Sequence, residues 1–483
     1  MTRTHPHLPA RRDLLRVALA SALAGGSGGL LAGCSDDRPP PPAGSGAGRG
    51  AGAAAGASGL RQVAASTSRT TGDPTAVPSV VAGLQTFAAR LHRQVVQEAG
   101  GANVVTSPSS VLVALGMTMA GAGGSTRDEL AEVLGVGDLG QRWHRGLNAL
   151  RRDLAALPGE VRRDDGSRAR LVLTSADQLF GQRGVAWGRD FLDLLAAQYG
   201  AGMVELDIAA DPEAARTLIN RWVEQHTDDR IVDLLPDGAL DVDSRLVLVD
   251  ALRLVAPWRL PFEPSLTRPG LFRRDDGSVV QAPMMHRPDL RVRLRDDARF
   301  RSVTVPYAGR PPGVAGAGDG LAMTIVLPGP APSFDLRSGP RVDLASIERL
   351  VEERGLGAVL PLGSPEVAVD LILPSWTTRT SVSLKRTLKA LGVRAAFTPA
   401  ADLSPMTDGP GERLRVSDVL HQAHLAVDEQ GTEAAAATAV VVEGLSAQLV
   451  TDTVVVDRPF LYVVHDTASG VPLFLGRVSD PTL

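Results

Sequence analysis

The feature that most constrains this chain is a change in the spacing of its apolar residues along its length. Between residues 80 and 98, Leu84, Phe87, Leu91 and Val95 recur every three or four positions, which gives a helix one apolar face. Ser107-Pro108 opens a second apolar stretch, with Ser107 placed to cap a helix and Pro108 suited to its first turn. A third helix is predicted from Ser125, where Ser125 and Asp128 form a capping pattern. Further on the period shortens. Residues 171–174, 245–254, 321–327 and 367–373 are alternating or continuous apolar runs, and 454–456, 460–464 and 471–478 read as strands. The last two are joined across 465–470 as a hairpin. Helices first, with strands through the remainder, predict an α+β body rather than βαβ alternation.

The ends and the composition narrow the function. Net charge is −4, and no Lys/Arg-rich block follows the first sixteen residues, so nothing calls for nucleic acid. Arg11-Arg12-Asp13-Leu14-Leu15-Arg16 resembles a twin-arginine export signal, and Leu31-Ala32-Gly33-Cys34 resembles a lipobox. These predict a signal peptide over 1–33 and a lipid on Cys34 that anchors the protein outside the cytoplasm. Residues 34–77, rich in Pro, Gly, Ala and Ser, read as a flexible tether, and 78–483 as the folded body. Cys34 is the only cysteine. The body therefore has no intrachain disulfide, no thiolate catalyst and no cysteine metal site.

Six segments, in order, resemble the serpin family across 78–483. They are Asn103 to Ser110, Asn220 to Glu224 with Ile231 to Leu234, Leu246 to Leu252 followed by Trp258, Ala282-Pro283-Met284-Met285, Asp428 to Ala437, and Val456 to Tyr462. The resemblance implies a multi-helix domain on a large central mixed β-sheet, two further sheets and an exposed reactive-centre loop. It implies a monomeric, cofactor-free suicide substrate that forms a covalent complex with a serine protease. Val255-Ala-Pro-Trp258 departs from the lysine- and glycine-containing turn usual before the family's tryptophan.

The hinge segment supports that reading from its own chemistry. Glu429, Gly431, Thr432, Glu433, Ala434, Ala435, Ala436, Ala437 and Thr438 lead into the β-branched run 440–442. Alanine favours helix, yet the glycine and the valines leave the segment poised between states. As a strand it would turn Thr432, Ala434, Ala436 and Thr438 to one face, small and uncharged, and Glu433 to the other. No proline interrupts residues 431–456, so a ladder would miss no donor.

By resemblance, the scissile bond lies about seventeen residues along from Glu429, at Leu445–Ser446. Counting back from Pro459 favours Gln448–Leu449 instead, and Val442 is a further alternative. No Lys or Arg occurs between Gly431 and Asp457, so the expected targets have hydrophobic primary pockets, as in chymotrypsin-, elastase- or subtilisin-like enzymes. The resemblance also implies that Ser107, Ser110, Asp250 and His421 meet where the central sheet opens, with Asp250 in place of the usual asparagine. A charged or proton-sharing Asp250–His421 pair is the expectation.

Enzyme readings are weak. Gly25 to Gly29 satisfies G-x-S-x-G but falls within the signal segment, and His421 and His424 lack an accompanying HExxH. No metal is expected. The rival readings are a non-inhibitory member acting as a binding protein and an inhibitor of cysteine proteases.

Overall fold

The computed structural model describes residues 60–63, 65, 67–309, 320–329, 343–409, 413–433 and 452–483. All lie in the compact unit Ala57–Leu483. Ala434 to Thr438, Val442, Leu445, Ser446, Leu449 and Cys34 fall outside the described residues.

Eight α-helices are present among them: α1 Val77–Glu98, α2 Pro108–Ala120, α3 Gly124–Val133, α4 Gln141–Ala155, α5 Arg189–Leu194, α6 Pro212–His226, α7 Leu344–Arg354 and α8 Lys385–Leu391. The face predicted for α1 is the one it buries, with Leu84, Phe87, Leu91 and Val95 all inside. α2 is apolar all round and is buried on nearly every side, as a helix held inside a core must be. It packs between strands of two sheets, which fixes Ser107 and Ser110 in the interior.

Among the described residues the central sheet has nine strands. Its strands are β1 Arg61–Val63, β3 Gly159–Arg162, β4 Arg168–Ser175, β5 Gln178–Gln182, β6 Met203–Leu206, β7 Leu246–Pro257, β13 Trp376–Ser383, β14 Asp418–Asp428 and β15 Gly431–Thr432. The main path runs β1-β6-β5-β7-β15-β14-β13, with β4 also on β7. The second sheet contains β2 Val104–Thr106, β8 Arg268–Arg273, β9 Val279–Asp296, β10 Phe300–Pro306, β11 Leu321–Pro328, β12 Glu366–Pro374, β16 Asp452–Val455, β17 Phe460–Asp466 and β18 Pro472–Val478. The two further sheets expected from sequence are joined here, because β9 is 18 residues long and pairs with β8, β10 and β12.

Two expectations need correction. The body begins before residue 78: β1 pairs with β6, and Asp73 accepts an ion pair from Arg142 of α4. The Pro/Gly/Ala composition hid a short strand that the sheet edge recruits through backbone pairing, with Arg61 also 3.8 Å from the Glu205 carboxylate of β6. Ser125 does not cap α3. Gly123 takes the cap position because its N–H donates to the Asp402 carbonyl, and the Asp402 carboxylate leaves no room there for a side chain.

Candidate functional site

β7 and β14 lie side by side in the middle of the central sheet. Over six residue pairs, from Val247↔Asp418 to Leu252↔Ala423, they are joined in parallel. Beyond that point they part, and β15 occupies the space. Gly431 and Thr432 pair antiparallel with Pro257 and Ala256 of β7 on one side and with Asp428 and Val427 of β14 on the other.

The chain reverses into β15 through a turn set by Asp428, whose carboxylate accepts from the N–H groups of Gln430 (2.8 Å) and Gly431 (3.1 Å). Burial raises this carboxyl above its usual range, while those two bonds act the other way. Trp258 clamps the turn. Its indole donates to the Asp428 carbonyl at 2.9 Å and its backbone N–H to the Gln430 carbonyl at 2.9 Å. Arg163 donates to the same Gln430 carbonyl at 3.0 Å, and Thr267 donates to the Glu429 carboxylate at 2.7 Å. Thus the altered turn before Trp258 leaves the tryptophan buried against the hinge.

Three residues then sit in the gap. Gly431 passes so close to β7 that a Cβ would lie 2.2 Å from the Ala256 carbonyl oxygen, at φ +151°, so a larger residue does not fit. Thr432 is fully buried, with its hydroxyl 2.5 Å from the Tyr307 hydroxyl. The Tyr307 ring stacks on Trp258 at 4.6 Å, and burial pushes its phenol well above the ordinary range. Glu433 has left-handed backbone (φ +48°), unusual for its type. Its N–H donates to the Ala426 carbonyl at 2.8 Å. Its buried carboxylate meets the His424 ring and lies 4.0 Å from Arg253, which also pairs with Asp228 at 2.7 Å. Glu433 therefore plugs the point where the two strands part.

Ser107, Ser110, His421 and Asp250 form a buried row below this point. The Ser107 N–H donates to His421 Nε2 at 3.1 Å, and the Ser110 hydroxyl lies 2.9 Å from that of Ser107. His421 and Asp250 are register partners, both fully buried, with Nδ1 3.7 Å from Oδ1. Because Nε2 accepts a bond, a neutral His421 carries its proton on Nδ1, facing Asp250. The separation is too long for a hydrogen bond, and neither Asp250 oxygen has a hydrogen-bond partner among the described residues. His421 and His424 are in a strand rather than a helix, three residues apart and so on opposite faces. No metal-holding group of His, Cys, Asp or Glu occurs among the described residues.

Sequence reasoning missed Tyr307, Arg253 and His424 as partners of the hinge. Arg253 and His424 lie just past the last β7–β14 pair, and Tyr307 follows β10, held by its bridge to Trp258, so no local pattern groups them with the hinge.

The serpin (serine protease inhibitor) family matches residues 82–481 of this chain. The chain belongs to the serpin family. Serpin-ZXA of Oryza sativa subsp. japonica is 33% identical over 389 residues, spanning 80% of this serpin and 92% of its own length. Plasminogen activator inhibitor 1 of Bos taurus is 31% identical, spanning 83% and 93%. Among solved structures, Serpin48 of Tenebrio molitor aligns with a TM-score of 0.67 at 26% identity, covering 84% of this serpin and 99% of its own chain. Thyroxine-binding globulin in complex with thyroxine aligns with a TM-score of 0.66, also at 26% identity and with the same coverage. Serpins as a family are inhibitors that form complexes with target proteases, rather than catalysts, and some members are binders instead.

Proposed function

We propose that this serpin is an extracytoplasmic suicide inhibitor of serine proteases with hydrophobic primary pockets, presenting Leu445–Ser446 as bait and held at the membrane through a lipid on Cys34. The observation that carries the reading is β15: two hinge residues already lie as a strand between β7 and β14, in a gap that closes at Leu252 and Ala423. Attack of the protease serine on the Leu445 carbonyl forms an acyl-enzyme and releases the Ser446 amine. The freed loop then follows β15 into the sheet. About 15 residues at roughly 3.3 Å each would carry the bound enzyme about 50 Å. On the order of a dozen new backbone bonds at about 1 kcal/mol each would favour the step by roughly 10 kcal/mol.

Thr432 turned to the buried face is what an inserting strand requires, and Glu433, whose left-handed backbone ends β15, would turn extended as insertion proceeds. Incubation with chymotrypsin should give an SDS-stable band at the summed mass of protease and serpin. Cleavage without that band would make the protein a substrate or a binder. A papain adduct in place of the chymotrypsin one would move the target to cysteine proteases.

A further inference from the structure

Away from the gap, helices α1, α2 and α4 and strands β4 and β7 line a half-open cavity of about 190 Å³ beneath the central sheet. Most of its wall is apolar, including Leu84, Leu147, Leu150, Leu252 and Leu473. One end is charged, where Arg69, Arg151 and Asp177 meet.

Arg69 is carried there by the segment preceding α1, which straps across α4. Thr70 N–H donates to the Ala197 carbonyl (2.8 Å) and Asp73 N–H to the Arg145 carbonyl (2.9 Å). The Arg69 Nε donates to Asn148 Oδ1 at 2.8 Å. Its Nη2 is buried without a hydrogen-bond partner, and Arg69 has no ion pair among the described residues. Arg151, in contrast, is satisfied by Asp177 at 3.2 Å and by the Tyr199 carbonyl at 2.9 Å. Asp177 thus pairs with Arg151 and leaves Arg69 with no carboxylate among the described residues. Burial, with Arg151 and Arg152 nearby, lowers Arg69 to about 10.

Arg69 is half-buried, but its Nη2 is shut off from solvent, and a buried donor left without a partner is costly until an acceptor meets it. We propose that this cavity binds a small amphipathic carboxylate, its head on Arg69 and its hydrocarbon among the leucines. A guanidinium edge suits a carboxylate, which can accept two parallel bonds. Size limits the tail: an apolar cavity of about 150 Å³ accepts benzene, so 190 Å³ suits a chain of roughly eight carbons. The site is independent of whether the loop traps a protease.

Titration calorimetry of the intact serpin with octanoate tests it, with octanol and octylammonium as neutral and cationic probes of equal length. Octanoate should bind saturably, one per chain, and about tenfold or more tighter than octanol. Arg69→Gln should remove that preference while leaving octanol binding unchanged. Leu154→Trp, at the partly exposed rim, should weaken both ligands, and it serves if Arg69→Gln does not fold. Equal affinity for octanoate and octanol in the unaltered protein, no saturable octanoate binding, or an undiminished octanoate preference in Arg69→Gln would each overturn the proposal.

Discussion

Asp250 is fully buried, lacks a hydrogen bond to either carboxylate oxygen among the described residues, and faces His421 across 3.7 Å. Replacing a poorly compensated buried acid by an amide relieves desolvation and keeps the shape. Asp250→Asn should therefore raise stability by about 1–3 kcal/mol and slow the parting of β7 from β14. Denaturant melts and the rate of chymotrypsin trapping report the two effects, and unchanged values would remove Asp250 from any role in opening.

The buried titratable groups also set a pH dependence. Burial holds His144 and His465 each down to about 4, against 6.5 when free. The unfolded chain takes up these protons as pH falls through about 6.5, whereas the folded chain resists until about 4. Their contribution to stability is complete above pH 6.5 and is lost towards pH 4, by about 3 kcal/mol each at most. Asp177 works in the opposite sense. Burial pushes its carboxyl up to about 7, so its contribution is present in acid and is lost as pH rises from about 4 to 7. The fall in melting temperature from pH 7 to pH 5 should thus be steeper in Asp177→Asn than in the parent protein. Parallel curves would contradict this assignment.

At the scale of elements, β15 depends on the absence of a side chain at Gly431, since a Cβ would meet the Ala256 carbonyl. Gly431→Ala should unseat the strand, and amide exchange at Thr432 and Glu433 should then speed up by about tenfold or more. Retained protection would mean that the gap yields to a methyl group. The sequence reading found this glycine for a different reason, as a helix breaker, because its neighbour across the gap lies 175 residues back in the chain. The Ser107-Pro108 start placed α2, and periodicity placed α1 and seven strands, β4, β7, β11, β12, β16, β17 and β18. It could not place β1, whose burial is slight, nor the cap of α3, which Asp402 decides from a loop far along the chain. The buried face of Thr432 was legible because a strand's period is local, and Glu433 departs from it with left-handed backbone. The identity of what they touch was not legible.

For the molecule as a whole, the proposed mechanism requires that the cut chain be more stable than the intact one. Full insertion, favoured by roughly 10 kcal/mol, should raise the melting temperature of a loop-nicked sample by about 10–20 °C. Calorimetry of intact and nicked protein side by side gives the answer, and coincident transitions would leave the bait without a driving force.

The parting of β7 from β14 is a crack wedged at its mouth. Above Leu252 and Ala423 the faces stand open around β15, and that pair with the five below it keeps the fault closed. A crack runs from its tip, so load falls on the next pair in line and not on the sheet at large. Toughness at Leu252 and Ala423 governs whether the fault starts, and the pairs nearest Asp418 bear load only after it has almost finished running.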